Sequence, residues 1–195
     1  MPHLQGITTF PELNVREYTT IDGQPGIWFM SLDAASALAV SGARRTYRLP
    51  YFKARMECRG QGGCIEYRSR RLSPDGEPPE LAGRYRPTGP EAPPAPGSLE
   101  HWLTERYCLY TLDERADVLR ADIHHPPWPL RTAEATFELN TMAEPYGLEL
   151  DEPPALLHLA RRQDVLIWPL GRAQPASTAA GISAYSRKNR SQTRM

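Results

Sequence analysis

Two lysines and 21 arginines carry the positive charge of this 195-residue chain. Lysine is the side chain that forms imines with carbonyl compounds. Lys188 sits in a polar C-terminal stretch, so Lys53 is the one candidate for lysine-based covalent chemistry. It lies in residues 43–56, ARRTYRLPYFKARM, where Arg44, Arg45 and Tyr47 precede Pro50 and Tyr51 follows it. Residues i and i+2 share one face of a strand, so Tyr51 and Lys53 point the same way. Arginines at the mouth of such a strand suit an anionic small molecule.

A second group is Glu105-Arg106-Tyr107. Arg106 offers bidentate geometry to a ligand carboxylate, or pairs internally with Glu105. His124-His125 precedes a Pro-rich turn. Adjacent strand residues point to opposite faces, so the two do not easily share a metal, but one could serve as acid, base or donor. Arg16 and Asn14 share a face of an early strand. The candidate catalytic groups are therefore Tyr51, His125 and Glu105, and the candidate ligand-binding groups are Arg16, Arg45, Lys53, Arg106 and His124. No metal is expected, because Cys58 and Cys64 have no second Cys/His pair at ligand spacing. No cofactor is expected either: GxSxG, GxGxxG, Walker, HExxH and CxxC patterns are all missing.

The elements that must hold these groups are short. Residues 13–19 alternate with period two, as a half-buried strand does. Asp22-Gly23 and Pro25-Gly26 mark a turn, and residues 27–30 return as a strand covered on both faces. Asp33 reads as the N-cap of an Ala-rich helix that Gly42 stops. Residues 49–58 and 64–71 form a hairpin in which Glu66, Arg68 and Arg70 make a wet face opposite Ile65, Tyr67 and Ser69. Cys58 and Cys64 are expected to face each other across it as small hydrophobes. Residues 72–97 hold eight of the twenty prolines and read as surface loops around a strand at 81–86. Ser98 caps an amphipathic helix bearing Leu99, Trp102 and Leu103. Strands follow at 106–112, 118–123 and 133–139, and residues 156–159 and 165–168 close the fold as a hairpin-like pair.

The blocks FPELNVREY, PGIWFMSLDAASALAV, ARRTYRLPYFKARM, YRSRR, GSLEHWLTERYCLY and IHHPPWPL, in this order, closely resemble the YqjF-like family, a family of unknown function, over about residues 10–170. The resemblance implies kinship with the acetoacetate decarboxylase fold, an antiparallel barrel around a pocket where an activated lysine forms an imine with a β-keto acid. ARRTYRLPYFKA resembles that enzyme's GRE-x-x-G-x-PKKLA region. On this match the imine-forming lysine falls at Tyr51 and its helper at Phe52, neither of which forms a carbinolamine. Only nine residues precede Phe10, fewer than the family generally has, which implies either a misassigned start or a shortened member with an open sheet edge.

The expected fold class is α+β: a largely antiparallel curved sheet or barrel of the acetoacetate decarboxylase-like type, with two or three short helices. Residues 1–170 form one domain. Residues 171–195 hold five basic residues and no acid, and read as a disordered basic tail. A mildly acidic body with a basic tail does not resemble a nucleic-acid domain. No apolar run is long enough to span a membrane, and MPHLQGITTF lacks a signal-peptide pattern, so a cytoplasmic location is expected. The expected partner is a small-molecule ligand, with a homo-oligomer left open. The chain is expected to bind a small anionic, carboxylate or keto-acid-like molecule in a barrel pocket without Schiff-base chemistry. The alternative is an enzyme acting on a carbonyl or carboxylate compound by acid–base catalysis.

Overall fold

The computed structural model describes residues 9–72 and 76–173. Strands β1 (Glu12–Ile21) and β2 (Gln24–Ala34) form the expected hairpin, turned by Asp22 at φ 52° and Gly23 at φ 75°. Two successive left-handed residues match the twist of the strands they join. Val15 faces Ser31 but Arg16 faces Phe29, so Met30 is an extra residue on β2. Such a bulge bends the strand and strengthens its twist.

β2 is the hub. A strand has two edges, and β1 fills one of them. The other is shared end to end by two parallel neighbours. β6 (Cys108–Leu112) lies beside Ile27 and Trp28, and β3 (Tyr51–Gln61) beside Leu32, Asp33 and Ala34. Gly26 is needed at the β6 junction: a Cβ there would sit 2.5 Å from the Tyr110 ring and 2.8 Å from the Cys108 sulfur.

Two arms leave the hub. One runs from β6 to β7 (Val118–His124), which also carries β10 (Leu166–Ile167) and β11 (Gly171–Arg172). The other runs from β3 through β4 (Cys64–Arg71), β5 (Glu80–Pro87) and β8 (Leu130–Asn140) to β9 (His158–Ala160). Among the described residues the order ends in β10 on one side and β9 on the other, so the sheet is open. This corrects the expected barrel. Closure needs backbone pairing all the way round, and here the curled sheet meets itself through a side chain: the Tyr67 hydroxyl of β4 donates to the Glu12 carbonyl of β1 at 2.8 Å. Among the described residues β1 pairs only with β2.

Several local expectations shift. Asp33 is not a helix cap; it ends β2, and Ser36 caps helix α1 (Ala37–Tyr47), accepting from the Ala39 amide at 3.3 Å. Gly42 lies inside that helix, which stops at Arg48 in the left-handed region, φ 52°. Cys58 stands opposite Tyr67 and Cys64 opposite Gln61, so the two cysteines do not face each other. β9 and β10 are not a hairpin, because they pair with β8 and β7 on different arms. Helix α2 (Leu99–Thr104) is capped by Ser98 as expected, but Leu99 and Trp102 stay about half exposed. The sheet continues through Gly171 and Arg172, one step past the expected boundary; residues 174–195 lie outside the described residues.

Two apolar clusters hold the hub. Leu32, Leu49, Leu109 and Ala121 form one, with Tyr51 and Ile123 packed on it. Ile21, Cys108 and Tyr110 form the other, with Trp28 and Val118. The outer arm has the expected wet face, laced across strands by Arg68–Glu138 at 3.4 Å and Arg70–Glu80 at 3.2 Å. Among the described residues no helix is long and apolar enough to cross a membrane.

Candidate functional site

The two groups of candidate residues lie at opposite ends of β2. Tyr51 sits beside Leu32 and Leu109 beside Ile27, positions about 16 Å apart along a strand. β6 runs parallel to β2, so Arg106, which precedes β6, is farther away still.

At the Tyr51 end the Tyr51 hydroxyl and the Lys53 amine already have partners. The Tyr51 ring packs on the hub core and its hydroxyl donates to Glu12 Oε2 at 2.8 Å. Burial pushes the Tyr51 phenol up, and the charge and hydrogen bond of Glu12 push the same way. Desolvation also raises the Glu12 carboxyl, while the Tyr51 hydrogen bond lowers it. Lys53 Nζ donates to the Ala35 carbonyl, which ties the amine to the start of α1. Phe52 turns to the other face and lies under the Arg71 guanidinium, 4.0 Å from ring centroid to Cζ. Arg45 is exposed on α1, and its neighbour Arg44 donates to the Tyr51 carbonyl at 2.6 Å.

Beneath Phe52 lies a pair the sequence reading missed. Arg71 donates from Nε and Nη2 to the two carboxylate oxygens of Asp33, each at 2.8 Å. Asp33 is 0% exposed and Arg71 5%. Burial pulls the Arg71 pKa down, but the Asp33 carboxylate more than offsets this and leaves it raised. The available signal was the odd presence of an acid at the end of a strand with no alternation.

The other end is different. Arg106 is equally buried, at 5%, yet among the described residues it has no carboxylate partner. Its Nη1 donates to the Glu105 carbonyl at 3.0 Å, and its Nε has no hydrogen-bond partner among the described residues. The guanidinium lies 4.0 Å from the Trp102 ring centroid and 5.5 Å from that of Tyr18. Burial pulls its pKa down, partly opposed by Tyr18 and Cys108. Arg16 approaches the same Tyr18 ring at 5.6 Å, so two of the candidate cations share one aromatic neighbour. The expected Glu105–Arg106 salt bridge is absent; Glu105 accepts from the Tyr107 hydroxyl instead. That bond, with burial second, pushes the Tyr107 phenol up to about 12.

His125 is buried beside this group. Its ring stacks on Tyr107 at 4.8 Å and meets Trp128 edge-on at 5.8 Å. Nδ1 lies 2.9 Å from the Pro126 carbonyl and Nε2 3.3 Å from the Arg106 carbonyl. A neutral imidazole has one N–H, so it can serve only one of these acceptors. His124 is exposed on the other face of β7. The structure thus brings together Arg16, Glu105, Arg106 and His125, and leaves Tyr51, Lys53, Arg45 and His124 elsewhere. Among the described residues no group of three or more His, Cys, Asp and Glu side chains is placed to hold a metal ion.

Comparison with known proteins bears on the fold and the family. Two solved acetoacetate decarboxylase structures have a similar fold. One, from Legionella pneumophila, has a TM-score of 0.57 at 12% identity over 88% of this chain and 69% of that one. The other has a TM-score of 0.54 at 10% identity over 87% and 70%. At such identities the likeness is one of fold alone. In sequence, the chain is 47% identical to the uncharacterized protein YqjF of Bacillus subtilis over 170 residues, 87% of this chain and 69% of that protein. The model of a family described as an uncharacterized conserved protein, domain of unknown function 2071, matches residues 1–164. The chain therefore belongs to this family of uncharacterized conserved proteins, the YqjF-like family, and shares its fold with acetoacetate decarboxylase.

Proposed function

We propose that the protein binds a small carboxylate-bearing molecule, keto acids included, at Arg106, and that no imine forms. One observation carries this reading. A buried guanidinium with, among the described residues, no carboxylate of its own, an unused Nε and two aromatic neighbours is a receptor for a planar anion. Arg16, which approaches the same Tyr18 ring, adds charge of the same sign. Imine chemistry has little support: Tyr51 and Phe52 stand where the decarboxylase-like match needs lysines, and the Lys53 amine is committed to a backbone carbonyl.

The test is calorimetric titration with acetoacetate, with acetone as the uncharged control. Acetoacetate binds the native protein, acetone does not, and Arg106→Gln removes the binding. Borohydride added to the acetoacetate complex leaves the protein mass unchanged. Equal affinity in Arg106→Gln, or a reduced adduct on Lys53, overturns the reading.

A second reading, acid–base catalysis on a carbonyl or carboxylate compound, draws on the Glu105–Tyr107 hydrogen bond beside His125. It is weaker because both His125 nitrogens already face carbonyl oxygens and Tyr51 lies at the other end of β2. Turnover unchanged in Tyr51→Phe and His125→Ala variants removes it.

A further inference from the structure

We infer a second ligand site on the outer arm: the groove between the apolar face of β4, β5 and β8 and the segment around β9 takes the alkyl chain of an amphipathic carboxylate, with Arg161 at its head group. The groove measures about 520 Å³, within the usual size of small-molecule sites. Its floor is built by register: Ile65, Tyr85 and Ala135 stand opposite one another on three adjacent strands. Phe137 and Leu159 add apolar wall, and Phe137 is 42% exposed. The reverse face of the same strands carries ion pairs, including Arg68–Glu138 and Arg86–Glu134. The arm is therefore an amphipathic sheet whose apolar side has room left over it, and such a face needs a cover.

Charge selects the cover. His158 and Arg161 also line the groove. His158 already has a carboxylate, Glu100, at 4.0 Å. Arg161 is exposed and among the described residues has no ion-pair partner. An apolar trough ending in an unshared arginine matches a chain that ends in an acid. This site is independent of Arg106, which lies on the other arm, before β6.

Titration of the full chain with decanoate, below its micelle concentration, tests the inference, with 1-decanol and decyltrimethylammonium as controls. Decanoate binds, 1-decanol binds more weakly, and the cation does not. Ala135→Trp fills the floor and removes decanoate binding. Arg161→Gln, at an exposed position, weakens decanoate about three- to fivefold and leaves 1-decanol alone. Ala135→Trp leaves acetoacetate binding at Arg106 unchanged, which separates the two sites. The inference is overturned if Ala135→Trp and Arg161→Gln both bind decanoate like the native protein. It is equally overturned if sedimentation shows a dimer of this chain that Ala135→Trp dissociates, since a second copy would then be the cover.

Discussion

Two arginines in this protein expose the same small fraction of their surface and live opposite lives. Arg71 and Arg106 are each 5% exposed. Arg71 is gripped by both oxygens of Asp33 and roofed by Phe52. Arg106 rests against Trp102 and Tyr18 and, among the described residues, has no acid and a vacant Nε. Both lie against aromatic rings, so contact with a π-face does not distinguish them. The difference is whether the fold supplies the counter-charge. Where it does, the cation is structural; where it does not, the cation is open to the outside anion proposed above.

The sharpest way to break that contrast is to remove the counter-charge. Asp33→Asn leaves Arg71 buried without its carboxylate, and denaturant unfolding should show a loss of about 3–5 kcal/mol. If the loss is below about 1 kcal/mol, Arg71 was never held by Asp33 and the contrast collapses. Arg106→Met is the complementary change. It removes a buried cation with no ion pair, so stability should move by no more than about 1 kcal/mol in either direction. Acetoacetate affinity in the same variant should fall about tenfold or more, because hydrogen bonds to a charged group are lost. A variant that unfolds but binds normally when refolded would invert the assignment.

Smaller effects sharpen the picture. Tyr51→Phe deletes the hydrogen bond to Glu12 and should cost about 1 kcal/mol or less by thermal unfolding, with no change in ligand affinity. A change in affinity would put the Tyr51 end back in the site. Tyr107 gives a pH signature. Its folded value, about 12, lies above the ordinary value of 10.0. The neutral phenol is therefore favoured by folding. Its contribution is full below about pH 10 and is lost as pH rises toward 12. Tyr107→Phe should flatten that alkaline loss, read from denaturation midpoints at pH 9 and pH 12. An unchanged slope would mean that the bond to Glu105 does not survive in solution.

Much of the fold was legible because it was written locally. The Asp22-Gly23 and Gly62-Gly63 turns carry the positive φ values that hairpins need, and period-two alternation marked the wet face of β4. Ser98 capped its helix as expected. Asp33 shows where local reading stops. A carboxylate before an Ala-rich helix looks like a cap, but Arg71, 38 residues away, claims it first. The cap then passes to Ser36. Glu105 and Arg106 show the same limit at closer range. Neighbours in sequence suggested a salt bridge, but the turn into β6 sends Glu105 to Tyr107 and Arg106 to the aromatic rings.

By itself the sequence determined most of the strands, both helices, the family, and the replacement of the expected lysines by Tyr51 and Phe52, since each follows from residue types at short spacing. Only the tertiary structure decided that the sheet stays open, that β9 and β10 belong to different arms, and that among the described residues Arg106 is buried with an unsatisfied Nε while Lys53 reaches the Ala35 carbonyl. Those outcomes depend on which distant backbone reaches a strand edge and which distant acid reaches a cation. Spacing along a chain carries no information about either.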